Sequence, residues 1–217
     1  MTVEEAMVQA LARVSEFGDG VPATRSLCYH RIGVRQQQIF AAVAAIDPDY
    51  FGVCASAPLI DGMANLEDMV DPVPAADSIT RIEVDDPGTS SYAPGTRIRL
   101  VRLGEEHTAA PPRVRIRNHV IEQVGTDLAG VAKIKVYYPR RPQPIGPADG
   151  GKDLELPDPF QDLLVVDLAK YLIAKAVSME AERRIEALRA LSAEEEQLLA
   201  GLEAHVRGFQ AAAQSAP

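Results

Sequence analysis

The chain has 217 residues, 47% of them hydrophobic and 24% charged, and carries a net charge of −9. This is the composition of a folded protein with one large domain or two small ones, and its acidity excludes tight autonomous binding to nucleic acid, which takes a basic surface. The acidic start Met1-Thr2-Val3-Glu4-Glu5 lacks the basic and apolar regions of a signal peptide, and no run is long and apolar enough to span a bilayer. The expectation is a protein that stays in the cytoplasm where it is made and has no membrane partner.

The charge is unevenly spread. Residues 1–79 carry 4 basic and 11 acidic side chains, residues 80–141 carry 11 and 7, and residues 142–217 carry 7 and 13. Half of all Lys and Arg therefore sit in the middle segment. Aromatic residues are 5% and Trp is absent, so the core must be built from smaller aliphatic side chains.

The first predicted element is a helix over 2–16. Val3, Met7, Leu11 and Val14 form one apolar stripe, Thr2 is the expected N-cap, and Phe17-Gly18-Asp19-Gly20 ends it. Residues 21–30 read as a loop. A second helix is expected over 31–46, with Ile32, Gln36, Ile39, Phe40, Val43 and Ile46 on one face and Asp47-Pro48 as its stop.

From 50 to 139 the hydrophobic period changes to two. Strands are expected at 51–60, 81–85, 97–103, 113–117, 118–124 and 133–138. They are separated by the turn sequences Asp86-Pro87-Gly88, Gly104-Glu105-Glu106, Gly125-Thr126-Asp127 and Ala129-Gly130. Such alternation predicts a small antiparallel sheet or sandwich with one face buried. Residues 140–158 are rich in Pro and Gly and read as an extended connector. Asp158 is the expected N-cap, and Pro159 the first residue, of a helix that is apolar nearly all round through Ile173 and continues to about 190. Ser192-Ala193-Glu194-Glu195 fits a capping box, predicting a break and a final helix over 193–212.

The expected fold class is α+β, a helical bundle from both termini with an inserted antiparallel β-rich module. Residues 1–49 supply the N-terminal helices, 50–139 the module, 140–158 the connector, and 159–217 the C-terminal helices and tail.

Catalytic signatures are missing. His30, His107, His119 and His205 lack metal-ligand spacing, and Cys28 and Cys54 form neither a CxxC nor a disulfide framework. Cys28-Tyr29-His30 lacks a second ligand pair. Asp85-Asp86 is explained by the turn that follows, and Glu194-Glu195-Glu196 by a helix start. No enzyme activity, cofactor or metal is expected.

The alternating strands place Arg97, Arg99, Arg113, Arg115, Arg117, Lys133 and Lys135 on one sheet face. A solvated outer face is the ordinary explanation. Like charges facing one another across strands repel, so a negative partner is the other. The acidic terminal helices of a neighbouring copy would serve, as would nucleic acid or lipopolysaccharide-like anions.

Three stretches carry a resemblance. Asp71-Pro72-Val73-Pro74-Ala75-Ala76-Asp77-Ser78 leads by prolines into the strand Ile79 to Val84. Val136-Tyr137-Tyr138-Pro139 closes the module before Arg140-Arg141-Pro142. Leu154-Glu155-Leu156-Pro157-Asp158-Pro159-Phe160 opens the helix that runs on through Lys170. In order and spacing, over residues 30–200, the chain resembles the head-to-tail adaptor (connector, head-completion) proteins of tailed bacteriophages. Its β segment departs from the smallest, all-helical adaptors.

The resemblance implies a structural virion protein made in the host bacterial cytoplasm and placed at the head-tail neck. It implies a homo-oligomeric ring, commonly of twelve copies, docked beneath the portal protein. The ring would extend the DNA channel, pass the genome without sequence-specific binding, and offer a platform to tail or second-adaptor (stopper) proteins. By the same resemblance residues 193–217 are the portal-docking element, through Leu198, Leu202, Val206 and Phe209 and, in the tail, Gln214 and Pro217. Another ring component of the virion, such as a tail terminator or baseplate protein, is the alternative, and an anion- or nucleic-acid-binding module a further one.

Overall fold

The computed structural model describes residues 1–17, 23–69, 78–101, 112–176 and 178–215. The chain is a mixed α+β fold, with four α-helices and a seven-stranded, nearly closed sheet among the described residues. It divides into two compact units, one formed by Met1–Asp47 with Arg141–Pro217 and the other by Pro48–Arg140.

The first unit holds all four helices: α1 (Val3–Phe17), α2 (Arg25–Ile46), α3 (Asp162–Lys175) and α4 (Ala181–Ser215). Helix α3 packs against each of the other three. That is why it is apolar nearly all round. Leu163, Leu164, Val165, Val166, Leu168, Ala169, Leu172 and Ile173 are all buried, each of the larger ones stabilising the fold by about 2 kcal/mol. Helix α1 buries Val3, Ala6, Met7, Ala10 and Val14. It opens with a capping box, in which Glu5 N donates to Thr2 Oγ1 and Thr2 N donates to Glu5 Oε2.

Helix α2 starts six residues before the predicted position. Thr24 caps it by accepting from Leu27 N at 3.3 Å, and Cys28 and Tyr29 extend its buried face toward Ile32, Gln36, Ile39 and Val43. The predicted loop at 21–30 is thus corrected for residues 25–30. The predicted stop Gly18-Asp19-Gly20 lies outside the described residues.

Residues 141–157 form no helix or strand, yet they are not a free connector. Pro142, Leu154 and Leu156 are buried. Val3 N donates to Lys152 O, Glu4 N to Gly150 O and Leu154 N to Met1 O, so this strap is sewn to the start of α1. Glu155 N donates to Gln36 Oε1 at 3.0 Å, and Ile145 packs against Gly33 of α2. Gly150 is required by close approach, because a Cβ there would overlap Tyr29 Oη.

Two further expectations are corrected. Asp158 does not cap α3. Residues Asp158–Phe160 form a single 3-10 turn, in which Asp158 Oδ1 accepts from Gln161 Nε2 at 2.9 Å, and α3 begins at Asp162. The helix also ends at Lys175 rather than near 190, and α4 runs unbroken through Ser192. Glu194 and Glu195 do not turn back to cap a helix start; they reach arginine and lysine side chains on other helices. Arg184 Nη1 caps the end of α3 by donating to Ala176 O.

The second unit is the sheet, with strand order β1-β7-β3-β4-β5-β6-β2. Its strands are β1 (Gly52–Pro58), β2 (Met63–Asn65), β3 (Arg81–Asp86), β4 (Arg97–Leu100), β5 (Arg113–Arg117), β6 (Val120–Gln123) and β7 (Lys133–Pro139). The edge strands β1 and β2 approach one another and nearly close the sheet. Inside lie Leu66, Ile82, Val84, Ile98, Val114, Ile121, Leu128, Ile134, Val136 and Tyr138. Hairpin β5–β6 turns on Asn118 and His119, both at positive φ, the geometry of a two-residue type I′ turn. The Asp86-Pro87-Gly88 turn forms as read, with Gly88 N donating to Asp86 Oδ1 at 3.0 Å and Gly88 at φ 55°.

One pairing departs from the antiparallel expectation. Strands β4 and β5 are parallel, with Arg99 beside Arg113. Parallel neighbours need a crossover of about a dozen residues, and twelve residues separate Leu100 from Arg113. Residues 102–111, including the predicted strand end at 102–103 and the turn Gly104-Glu105-Glu106, lie outside the described residues, as do 71–77 of the proline lead-in.

Leu164 is 1% exposed. Leu164→Asp is expected to abolish the cooperative thermal transition of the helical unit, because an unpaired carboxylate there costs several kcal/mol. An unchanged melting curve by circular dichroism would contradict that packing. Tyr29 supplies a pH test. Its hydroxyl donates to a Glu4 carboxylate oxygen, and this bond, aided by burial, raises the Tyr29 pKa. The raised pKa means that the contribution is complete below the ordinary tyrosine range and is lost as pH rises through the folded-state value. Urea unfolding should therefore show an alkaline loss of stability that is smaller in Tyr29→Phe.

Candidate interaction surfaces

Strand alternation decides the basic face. Ile98, Val114, Ile134 and Val136 point into the sheet's core, so Arg97, Arg99, Arg113, Arg115, Arg117, Lys133 and Lys135 lie on its outer side, as the pattern predicts. Several are already neutralised by acids on the same face, which the strand pattern alone does not pair. Arg113 Nε donates to Asp127 Oδ2 at 2.8 Å, and this contact holds its guanidinium pKa above the usual value. Arg115 Nε donates to Glu122 Oε2 at 2.8 Å, its direct cross-strand neighbour. Lys135 Nζ lies 3.7 Å from Asp85 Oδ1. Arg81 Nε is 3.2 Å from Glu83 Oε1 and stacks on the Tyr137 ring, whose hydroxyl donates to Glu83 Oε2. Arg97, Arg99, Arg117 and Lys133 have no ion-pair partner among the described residues.

The C-terminal helix is differently placed from its expectation. Leu202 and Val206 are 4% and 0% exposed and belong to the core of their own unit. Leu198 is partly buried and His205 packs edge-on against Phe160. These side chains are therefore not a docking stripe open to a partner. Phe209, 49% exposed, is the large apolar residue of the expected set that faces solvent. The side chain of Gln214, and Pro217, lie outside the described residues.

The unbroken α4 creates a surface that a break at Ser192 would have hidden. At about 100° per residue, Glu182, Ile185, Glu186, Arg189, Ala193 and Glu196 share one outward stripe, opposite the buried Ala187, Leu191, Leu202 and Val206. Ile185 is 50% exposed, and a shallow depression of about 410 Å³ is lined by Ile185, Leu188, Arg189, Ser192, Ala193 and Glu196.

A charged network pins the helices beneath. Asp167 on α3 accepts from Arg31 Nε at 2.7 Å and Arg31 Nη2 at 2.8 Å, and Arg35 Nε lies 3.5 Å away. Glu195 on α4 accepts from Arg35 Nη2 and, at 2.5 Å, from Lys170 Nζ. Glu194 pairs with Arg13 of α1 at 2.5 Å.

Of the residues weighed for chemistry, Cys28 is buried, and burial raises its thiol pKa; Cys54 is exposed. His30 lies on α2 and His119 in the β5–β6 turn, while His107 is outside the described residues. No group of three or more His, Cys, Asp or Glu side chains placed to hold a metal ion occurs among the described residues, and no helix there is long and apolar enough to cross a membrane. In comparison with known proteins, the chain matches no family model and has no match among curated proteins.

The network yields a prediction. Asp167→Asn leaves the half-buried Arg31 guanidinium without its carboxylate and Arg35 with Glu195 alone. It should cost about 2 kcal/mol, less than a fully buried pair because Arg31 retains solvent. Urea denaturation checks this, and a loss below about 0.5 kcal/mol would reduce the pair to an ordinary surface salt bridge.

Proposed function

We propose that this chain is a head-to-tail adaptor of a tailed bacteriophage, a structural virion protein without enzymatic activity. In this reading the terminal helices form a bundle that carries the β unit as an insertion. The protein stands as a ring, of twelve copies by the family's habit, beneath the portal at the virion neck. Its lumen continues the DNA channel, the genome passing through without sequence-specific binding, and its far side receives tail or stopper proteins.

The observation that carries the reading is the segment from β7 to α3. Strand β7 ends in Tyr137-Tyr138-Pro139, a strap over 141–158 packs on α1 and α2, and a turn from Pro157 delivers the chain into the almost wholly buried α3. This is the stretch on which the resemblance chiefly rests, and its side chains serve packing and positioning. The acidic balance of the chain agrees with a channel wall that does not retain DNA. On this reading portal docking falls to the end of α4 from Phe209 onward, since Leu202 and Val206 are committed to the protein's own core.

The test is to mix the purified protein with the portal encoded by the same genome and measure the mass of the product by light scattering. The expected product has one copy of this chain per portal subunit. Deleting residues 208–217 should leave the melting curve intact, because Val206 and everything before it is retained, and should abolish portal binding. Failure of the full chain to bind portal, with association to tail tube instead, would overturn the adaptor assignment.

A further inference from the structure

The two surfaces left unsatisfied, the outer face of β4–β5 and the outward face of α4, are complementary. On the sheet, Arg97, Arg99 and Arg117 have no ion-pair partner among the described residues. On α4, Glu182, Glu186 and Glu196 likewise have no ion-pair partner among the described residues, and they surround the exposed Ile185. We propose that the β4–β5 face of one copy docks on the α4 face of the next, in a head-to-tail contact repeated from copy to copy. This inference rests on the ring reading above and names the two faces that would build it.

The spacing of the charges fits. Arg117 lies one strand across and four residues along from the level of Arg99, a separation of about 14 Å. Glu186 and Glu196 are ten residues apart on one helix, about 15 Å. Arg189, the cation within the α4 stripe, has acids to meet on the sheet, where Glu83, Asp85, Glu122 and Asp127 stand between the arginines. Those same carboxylates disfavour a nucleic acid as the partner, since they would repel a phosphate backbone. Residues 48–140 as a whole carry ten basic and thirteen acidic side chains, whereas nucleic-acid-binding domains are basic. A partner with discrete, spaced carboxylates matches the face, and α4 of a second copy provides them. Because the two patches differ, the contact is heterologous and closes into a ring or runs on as a filament.

The experiment uses the full chain without portal. Light scattering should show self-association that weakens about tenfold or more when ionic strength rises from about 0.05 to about 0.5 M. The double variants Arg99→Glu/Arg117→Glu and Glu186→Arg/Glu196→Arg should each be monomeric, because each places like charges at both matched positions of the contact. Mixing the two variants should restore the oligomer, since every contact is then of opposite sign. Circular dichroism on each variant confirms the wild-type melting curve, so a folding defect cannot imitate the result. A monomeric wild type, variants that keep the wild-type mass, or a mixture that stays monomeric would each overturn the proposal. So would wild-type binding to a labelled DNA duplex that is lost in Arg99→Glu/Arg117→Glu without any self-association. A monomer that still binds portal would remove this contact and leave the adaptor reading standing, while a self-associating chain that ignores portal would do the reverse.

Discussion

The helical unit depends on one carboxylate in the wrong kind of helix. Helix α3 is buried on nearly all sides by aliphatic residues, and Asp167 sits among them only 7% exposed. A charge so placed is tolerated only with a close counter-charge and satisfied oxygens. Arg31 supplies the paired hydrogen bonds and Arg35 the second cation, which fixes the register of α2 on α3. Arg35 and Lys170 then need an acid of their own, and Glu195 draws α4 to the same place. Apolar packing alone would leave these helices free to slide by a turn. The network removes that freedom, and it explains why Glu195 sits in the middle of a helix rather than at its start.

The second constraint is topological. The first unit is made from two stretches of chain separated by the β unit, so its halves must find one another after a long excursion. They do so through backbone hydrogen bonds between residues 1–4 and 150–154 and through the packing of the Tyr29 hydroxyl against Gly150. The strap thus acts as part of the core. Its prolines hold an extended path without needing strand partners, and its buried Leu154 and Leu156 anchor that path.

Much of this was legible in the sequence, for identifiable reasons. Strands β3, β5 and β7 announced themselves because Arg-Ile-Glu-Val, Arg-Val-Arg-Ile and Lys-Ile-Lys-Val alternate strictly, and alternation reports a sheet with one wet face. The start of α1 was legible because Thr2 and Glu5 form a complete capping box. The first turns of α2 were missed because Arg25, Ser26 and His30 look like loop residues. The break at Ser192 was misplaced for a related reason. Glu194 and Glu195 look like capping acids until the cations they serve, Arg13, Arg35 and Lys170, are placed beside them by the fold. Strand β2 is only three residues long and carried no periodic signal. The basic face was readable from alternation, but which of its arginines are already paired was not, because Asp127 lies in a turn and Glu122 on the next strand. The docking stripe on α4 was misassigned since an amphipathic helix shows that it has an apolar side without showing what covers it.

Direct imaging of the neck of phage particles from the same genome, by electron cryomicroscopy, tests the adaptor reading most directly. The expected image is a ring of this chain immediately beneath the portal, one copy per portal subunit, with the end of α4 beyond Phe209 against the portal. Finding the chain at the tail tube or tail tip, or finding the position beneath the portal filled by another protein, would contradict it.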